Sequence, residues 1–217
     1  VKKLLLIFIA LCLFPSLLFA ALVSTLSDNF NDNSIDTAKW SKDVGSGSIA
    51  ETNNELELTT NAGGCDVAFF GKAKYSYVNS QATIKIIDAG NQSLSSYKLN
   101  FWISDSGWSD YIGWRIRAGT ISVDGGTYSA SYVAATYRYL RIRGSSTLIY
   151  FDYSSDGVSW TNADSIDWND AYIANCNTII ELLSSSEAST TTAKVDDFNI
   201  LPSSVANTSN FFQMWDN

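Results

Sequence analysis

Side chains that could do chemistry on one surface appear when the alternating segments are read for their polar faces. In Tyr97–Ser104, Leu99, Phe101 and Ile103 alternate with Lys98, Asn100 and Trp102. In Tyr111–Arg117, Ile112, Trp114 and Ile116 alternate with Tyr111, Arg115 and Arg117. Across residues 137–143 and 147–153, Leu140, Ile142, Ile149 and Phe151 share a face, leaving Tyr139, Arg141, Arg143, Leu148 and Tyr150 opposite. Period-two alternation marks half-buried strands. The outward residues Trp102, Arg115, Tyr139, Arg141 and Tyr150 combine flat rings with guanidinium groups. Such rings pack on the apolar face of a sugar, and guanidinium groups donate to hydroxyls or pair with carboxylates and sulfates. The set therefore reads as a platform for a neutral or acidic polysaccharide. Plain Arg–Tyr pairing across a solvated sheet is the alternative.

Composition removes other chemistries. The 217 residues contain no histidine, which excludes Ser-His-Asp and Cys-His catalysis and every zinc site that needs imidazole. The formal net charge is −8. Such an acidic chain lacks the positive surface that bulk nucleic-acid binding requires.

Residues 1–20 read as a secretory signal peptide: Lys2 and Lys3, then an apolar run from Leu4 to Phe14, then Pro15 and small residues at Ala20 and Ala21. An uncleaved membrane anchor is the alternative. Removal of the leader leaves 12 basic and 22 acidic residues, and only Cys65 and Cys176 as cysteines. Two cysteines in an exported chain point to one disulfide, Cys65–Cys176; two separate buried thiols are the alternative. Residues 21–201 read as one domain, and 202–217 as a linker-like tail ending in the aromatic FFQMWDN, which could contact a protein partner. The chain is expected to be secreted, extracellular or on a cell surface, with no membrane contact after cleavage.

The elements that must position these residues are short strands with turns between them. Asn53-Asn54 marks a hairpin within residues 48–60, and Asp156-Gly157 marks a later turn. Gly144-Ser145-Ser146 turns the central hairpin, with Gly144 free to take a positive φ. Residues 81–87 alternate with Ala82, Ile84 and Ile86 inward. Many short strands and no helical periodicity outside the leader indicate an all-β sandwich or barrel.

The stretch LRIRGSSTLIYFDYSSDGVSW (Leu140 to Trp160) resembles a hairpin of concanavalin A-like jelly-roll domains, the superfamily of laminin G-like domains, lectins and glucanases. DNFNDNSIDTAKW (Asp28 to Trp40) and KVDDFNIL (Lys194 to Leu201) fit the same resemblance. It implies a two-sheet antiparallel jelly roll. It also implies a structural Ca²⁺ held by Asp196 or Asp197, by Asp28, and by a carbonyl at Gly45, since calcium takes six to eight oxygens. The glucanases of that superfamily use a Glu-x-Asp-x-Glu strand, which is absent here. Glu55-Leu56-Glu57 lacks the central Asp, and Glu181 is followed by leucines. The expectation is thus a secreted, non-catalytic, lectin-like module that binds a glycan. A structural or adhesive surface or virion protein is the alternative, and a polysaccharide-degrading enzyme is placed last.

Overall fold

A computed structural model of the chain describes residues 20–168, 170–185 and 189–202. The expectations made for the leader and the aromatic tail lie outside these residues, apart from the junctions at Ala20 and Pro202. Sixteen strands are described. The first eight are β1 (Ala21–Leu22), β2 (Trp40–Asp43), β3 (Ser48–Thr52), β4 (Glu55–Thr60), β5 (Cys65–Gly71), β6 (Tyr75–Ser76), β7 (Gln81–Asp88) and β8 (Tyr97–Ser104). The rest are β9 (Tyr111–Arg117), β10 (Thr120–Asp124), β11 (Ser129–Ser131), β12 (Tyr139–Gly144), β13 (Leu148–Ser154), β14 (Thr161–Asp167), β15 (Asn177–Ser184) and β16 (Thr191–Asp196). A one-turn helix, α1 (Asp170–Ile173), precedes β15.

Two seven-stranded antiparallel sheets face each other. The first runs β11-β10-β9-β8-β15-β5-β2, and the second β14-β13-β12-β7-β16-β4-β3. A short parallel pair, β1–β6, stands apart from them. The alternation read from the sequence matches the burial. Leu99, Phe101, Ile103, Ile112, Trp114 and Ile116 of the first sheet meet Leu140, Ile142, Ile149 and Phe151 of the second in one core. Trp114 spans the gap: it is 1% exposed, and its Nε1 donates to the Arg141 carbonyl at 3.1 Å.

The turns follow local chemistry, with one correction. Asn53 and Asn54 both take positive φ (53° and 62°), joining β3 and β4 by a two-residue loop of the kind that matches sheet twist. Gly157 takes φ 75° at the later turn. Gly144 does not take a positive φ. It stays paired in β12, and the turn is closed beyond it by the Ser145 N–H donating to the Leu148 carbonyl (2.8 Å). Its glycine serves close approach instead, because a Cβ there would sit 2.3 Å from the Tyr77 carbonyl oxygen.

The segments carrying the family resemblance converge. The Asp28 N–H donates to the Phe198 carbonyl at 3.0 Å. Trp40 stacks on Phe69 at 4.6 Å and meets Phe198 edge-on at 5.0 Å, with Phe30 beside it.

Cys65 and Cys176 are both free and buried, which corrects the expected disulfide. β5 pairs with β15 so that Cys65 lies opposite Ser184, whereas Cys176 precedes the other end of β15 and bridges Tyr75. At about 3.3 Å per residue the two are roughly 25 Å apart, far beyond the roughly 7 Å between Cα atoms that a disulfide tolerates. Burial pushes the Cys176 thiol up to about 12. We expect Cys176 to resist a thiol reagent in the folded protein, and both Cys65 and Cys176 to react in unfolded, unreduced protein. A missing thiol in the unfolded sample contradicts this pairing geometry.

Candidate functional site

The outer face of the first sheet is a lattice set by strand register. Glu181 of β15 lies opposite Asn100 of β8 on one side and Ala68 of β5 on the other. Asn100 lies opposite Arg115 of β9. Asp66 lies opposite Leu183, one diagonal step from Glu181, within reach of a carboxylate side chain. A polar chain crosses the strands along this row. The Asn100 amide donates to Glu181 Oε2 at 2.6 Å, and its carbonyl oxygen accepts from Arg115 Nε at 3.3 Å. Arg115 then makes a two-pronged pair with Asp124, at 2.9 and 2.6 Å. At the other end, Glu181 and Asp66 line the same cleft, and each carboxyl perturbs the other.

Aromatic rings wall this row. Trp102 lies opposite Gly113 and Ile179. Gly113 is required, since a Cβ there would come within 2.5 Å of Trp102 Cα. Trp102 meets Tyr111 edge-on at 5.3 Å and carries the Arg115 guanidinium 5.2 Å from its ring centre. The loop between β8 and β9 delivers a further ring. Asp105 gathers the N–H groups of Gly107, Ser109 and Asp110 and the Ser109 hydroxyl at 2.6–3.1 Å. These bonds, the Asp110 N–H foremost, hold the Asp105 carboxyl at about 2. The loop they fix places Trp108 edge-on to Phe70 at 5.4 Å, with 41% of Trp108 exposed. The result is a cleft of about 370 Å³, lined by Asp43, Asp66, Phe70, Trp102, Trp108, Tyr111 and Glu181 among others.

Electrostatics single out Glu181. Burial and the neighbouring Asp66 charge push its carboxyl up to about 7, and the Asn100 hydrogen bond and Arg115 offset only part of this. Burial raises Asp66 as well. Two neighbouring carboxylates cannot both ionise freely, so the pair holds a proton more readily than free carboxyls do.

The expected platform does not assemble on one surface. Trp102 and Arg115 lie on the first sheet, whereas Tyr139, Arg141 and Tyr150 belong to β12 and β13 of the second. Trp102, Arg115, Arg141 and Tyr150 are partly exposed, but the sandwich has two outer faces and they are divided between them. On the second sheet, plain cross-strand pairing holds. Arg143 lies over the ring of Tyr150 opposite it, at 4.0 Å. Arg141 covers Trp160 at 4.1 Å and pairs with Asp152 at 2.9 Å. Tyr139 is buried.

The expected calcium ligands do not form a set. Asp28 accepts from Trp40 Nε1 (2.8 Å) and from the Phe30 N–H. Asp196 and Asp197 both pair with Lys85, at 2.9 and 3.1 Å. Gly45 lies beyond the far end of β2 from Trp40, roughly 15 Å along the chain direction. Among the described residues no group of three or more acidic, cysteine or histidine side chains can hold a metal.

No family model and no curated protein matches the sequence. Solved structures do match. LamAcat from Zobellia galactanivorans superposes with TM-score 0.61 over 83% of this chain and 97% of its own, at 10% identity. SCLam, a non-specific endo-β-1,3(4)-glucanase of family GH16, gives 0.56 over 79% and 89%, at 10% identity. The potassium-bound carbohydrate recognition domain of Emp46p gives 0.55 over 82% and 98%, at 11% identity. The fold is the concanavalin A-like jelly roll. It occurs in endo-glucanases, in carbohydrate recognition domains and in a potassium-bound form. The expectation that the chain is not an enzyme is therefore corrected. The fold it shares carries catalysis in those neighbours, and the lack of one strand motif excludes only that motif.

Sequence reading missed Asp66 and Trp108, and set Glu181 aside as an isolated strand carboxylate. A tryptophan inside the acidic DSGWSD loop, and a glutamate interrupting the apolar run of β15, were the available signals. The folded chain holds the Glu181 proton at pH values where the unfolded chain, with an ordinary value of 4.5, has lost it. Stability from this source is full below about pH 4.5 and is lost as pH rises through about 7. The melting temperature should fall from about pH 5 to about pH 7.5, and Glu181→Gln should remove most of that fall. An unchanged slope in the variant contradicts the placement of Glu181.

Proposed function

We propose that the chain is an exported carbohydrate-binding domain whose site is the cleft on the β8–β15–β5 face. The observation that carries this reading is the combination in one cleft of exposed (Trp108, Tyr111) and half-buried (Trp102, Phe70) rings with the Asp66 and Glu181 carboxyls, Glu181 held by Asn100. Rings supply stacking for the apolar face of a sugar, and carboxylate and amide groups meet its hydroxyls. The aromatic and polar groups stand on strands rather than on mobile ends, apart from Trp108, whose loop Asp105 ties down. The structural neighbours support the class of ligand, since both glucanases and carbohydrate recognition domains are among them.

A hydrolytic reading is favoured by one further observation. Two carboxyls, Asp66 and Glu181, line the same cleft, and burial raises both, Glu181 to about 7. Glycoside hydrolysis uses two carboxyls about 5 Å or more apart, one to protonate the leaving oxygen and one to attack or to activate water. Release of reducing ends from polysaccharides, absent in Asp66→Asn and Glu181→Gln, is the result that supports it. Equal release by those variants removes it.

Trp102→Ala should lose glycan binding by about tenfold or more, since one stacked ring contributes on the order of 1 kcal/mol or more. Its stability should fall by only about 1 kcal/mol, because no core cavity forms. Trp114→Ala, which empties the sandwich centre, should cost about 3–5 kcal/mol. Urea unfolding and glycan titration of the two variants check both statements. A Trp102→Ala protein as unstable as Trp114→Ala contradicts the assignment of Trp102 to the outer face.

A further inference from the structure

The charge of the cleft goes further than a generic sugar site. Three carboxylates, Asp43, Asp66 and Glu181, line it, and no lysine or arginine does. The nearest guanidinium, Arg115, is committed elsewhere: it pairs with Asp124 through both terminal nitrogens and lies against Trp102. Among these lining residues an anionic sugar finds no cationic partner and meets acidic groups instead. This departs from the expectation, drawn partly from the arginines, of a platform for a neutral or acidic polysaccharide.

We propose, building on the carbohydrate reading, that the cleft takes a glycan bearing a free amine, bound as its ammonium form between the Asp66 and Glu181 carboxylates and the rings of Trp102, Trp108 and Tyr111. Each part of the wall contributes to this choice. Ring faces attract cations through their quadrupole, and the attraction grows where water is excluded. A sugar ring packs on the same aromatic surface, so one residue of the glycan satisfies both stacking and charge. The register of β5 and β15 brings Asp66 and Glu181 to one cleft, where the Asn100 hydrogen bond and Arg115 relieve only part of their mutual repulsion. An ammonium group has three donors and a positive charge, so it bridges both carboxyls. The Asn100 amide already donates to Glu181 Oε2, which leaves the other carboxylate oxygens as acceptors for the ligand. Asp43, one strand beyond Asp66, adds a further negative charge at the rim.

The test is a panel of immobilised oligosaccharides that includes, on one backbone, the free-amine, N-acetylated and uronate forms, probed with the wild-type chain and with Trp102→Ala, Asp66→Asn and Glu181→Gln. Both carboxylate variants remove a strained charge while keeping the side chain's shape, and their melting temperatures at neutral pH serve as the folding control. The wild type should retain amine-bearing glycans about tenfold more tightly than their acetylated forms, and uronates least. The preference should shrink in Asp66→Asn and in Glu181→Gln and weaken as salt is raised. Trp102-dependent retention of acetylated or uronate forms equal to or above the amine form overturns this proposal and leaves the carbohydrate reading standing. If no glycan on the panel is retained through Trp102, the carbohydrate reading falls and the amine preference with it.

Discussion

Strand β15 lies between β8 and β5, and the cleft depends on that insertion. Its inward residues Thr178, Ile180 and Leu182 are buried against the second sheet, which leaves no freedom in its register. A slip by one residue would turn Glu181 into the core and Ile180 to the outside. With the register held, Glu181 faces Asn100 on one flank and stands diagonal to Asp66 on the other. Trp102 comes from the first neighbour and Phe70 from the second. The hydrophobic demand of one face thus positions the polar chemistry of the other.

The polar row across this sheet is satisfied at one end and unsettled at the other. Asp124 and Arg115 neutralise each other, and the Asn100 amide is oriented by having a donor on one side and an acceptor on the other. The row ends in two carboxyls lining one cleft, where a proton or a cation reduces their mutual repulsion. The second sheet shows the contrasting outcome. Asp152 is almost fully buried, yet Arg141, Arg143 and Asn162 all donate to it. The charge of Asp152 is met there, and the rings of Trp160 and Tyr150 are covered by the guanidinium groups of Arg141 and Arg143.

A shared fold explains why a chain at 10% identity superposes on glucanases while lacking their strand motif. Sandwich architecture requires only alternating apolar residues, workable turns and a filled interior. The outer-face residues are not constrained by any of these, so different chemistries occupy one scaffold. In this chain the scaffold carries carboxylates on two neighbouring strands, β5 and β15, rather than along a single one.

The sequence by itself determined which side of each strand is buried, because apolar residues must leave water and alternation records that locally. Leu99, Phe101 and Ile103, and Leu140, Ile142, Ile149 and Phe151, were legible for that reason, as were the Asn53-Asn54 and Asp156-Gly157 turns. The resemblance in three short motifs was enough to read the jelly roll. Alternation does not say which of two outer faces a residue joins, so Trp102 and Arg115 could not be separated from Tyr139, Arg141 and Tyr150. Nor does spacing reveal that Cys65 and Cys176 sit at opposite ends of one strand pair. The meeting of Asp66 with Glu181 was decided only by the tertiary structure. The two are far apart in the chain, and what joins them is the register of β15, fixed by packing on the opposite side of the sheet.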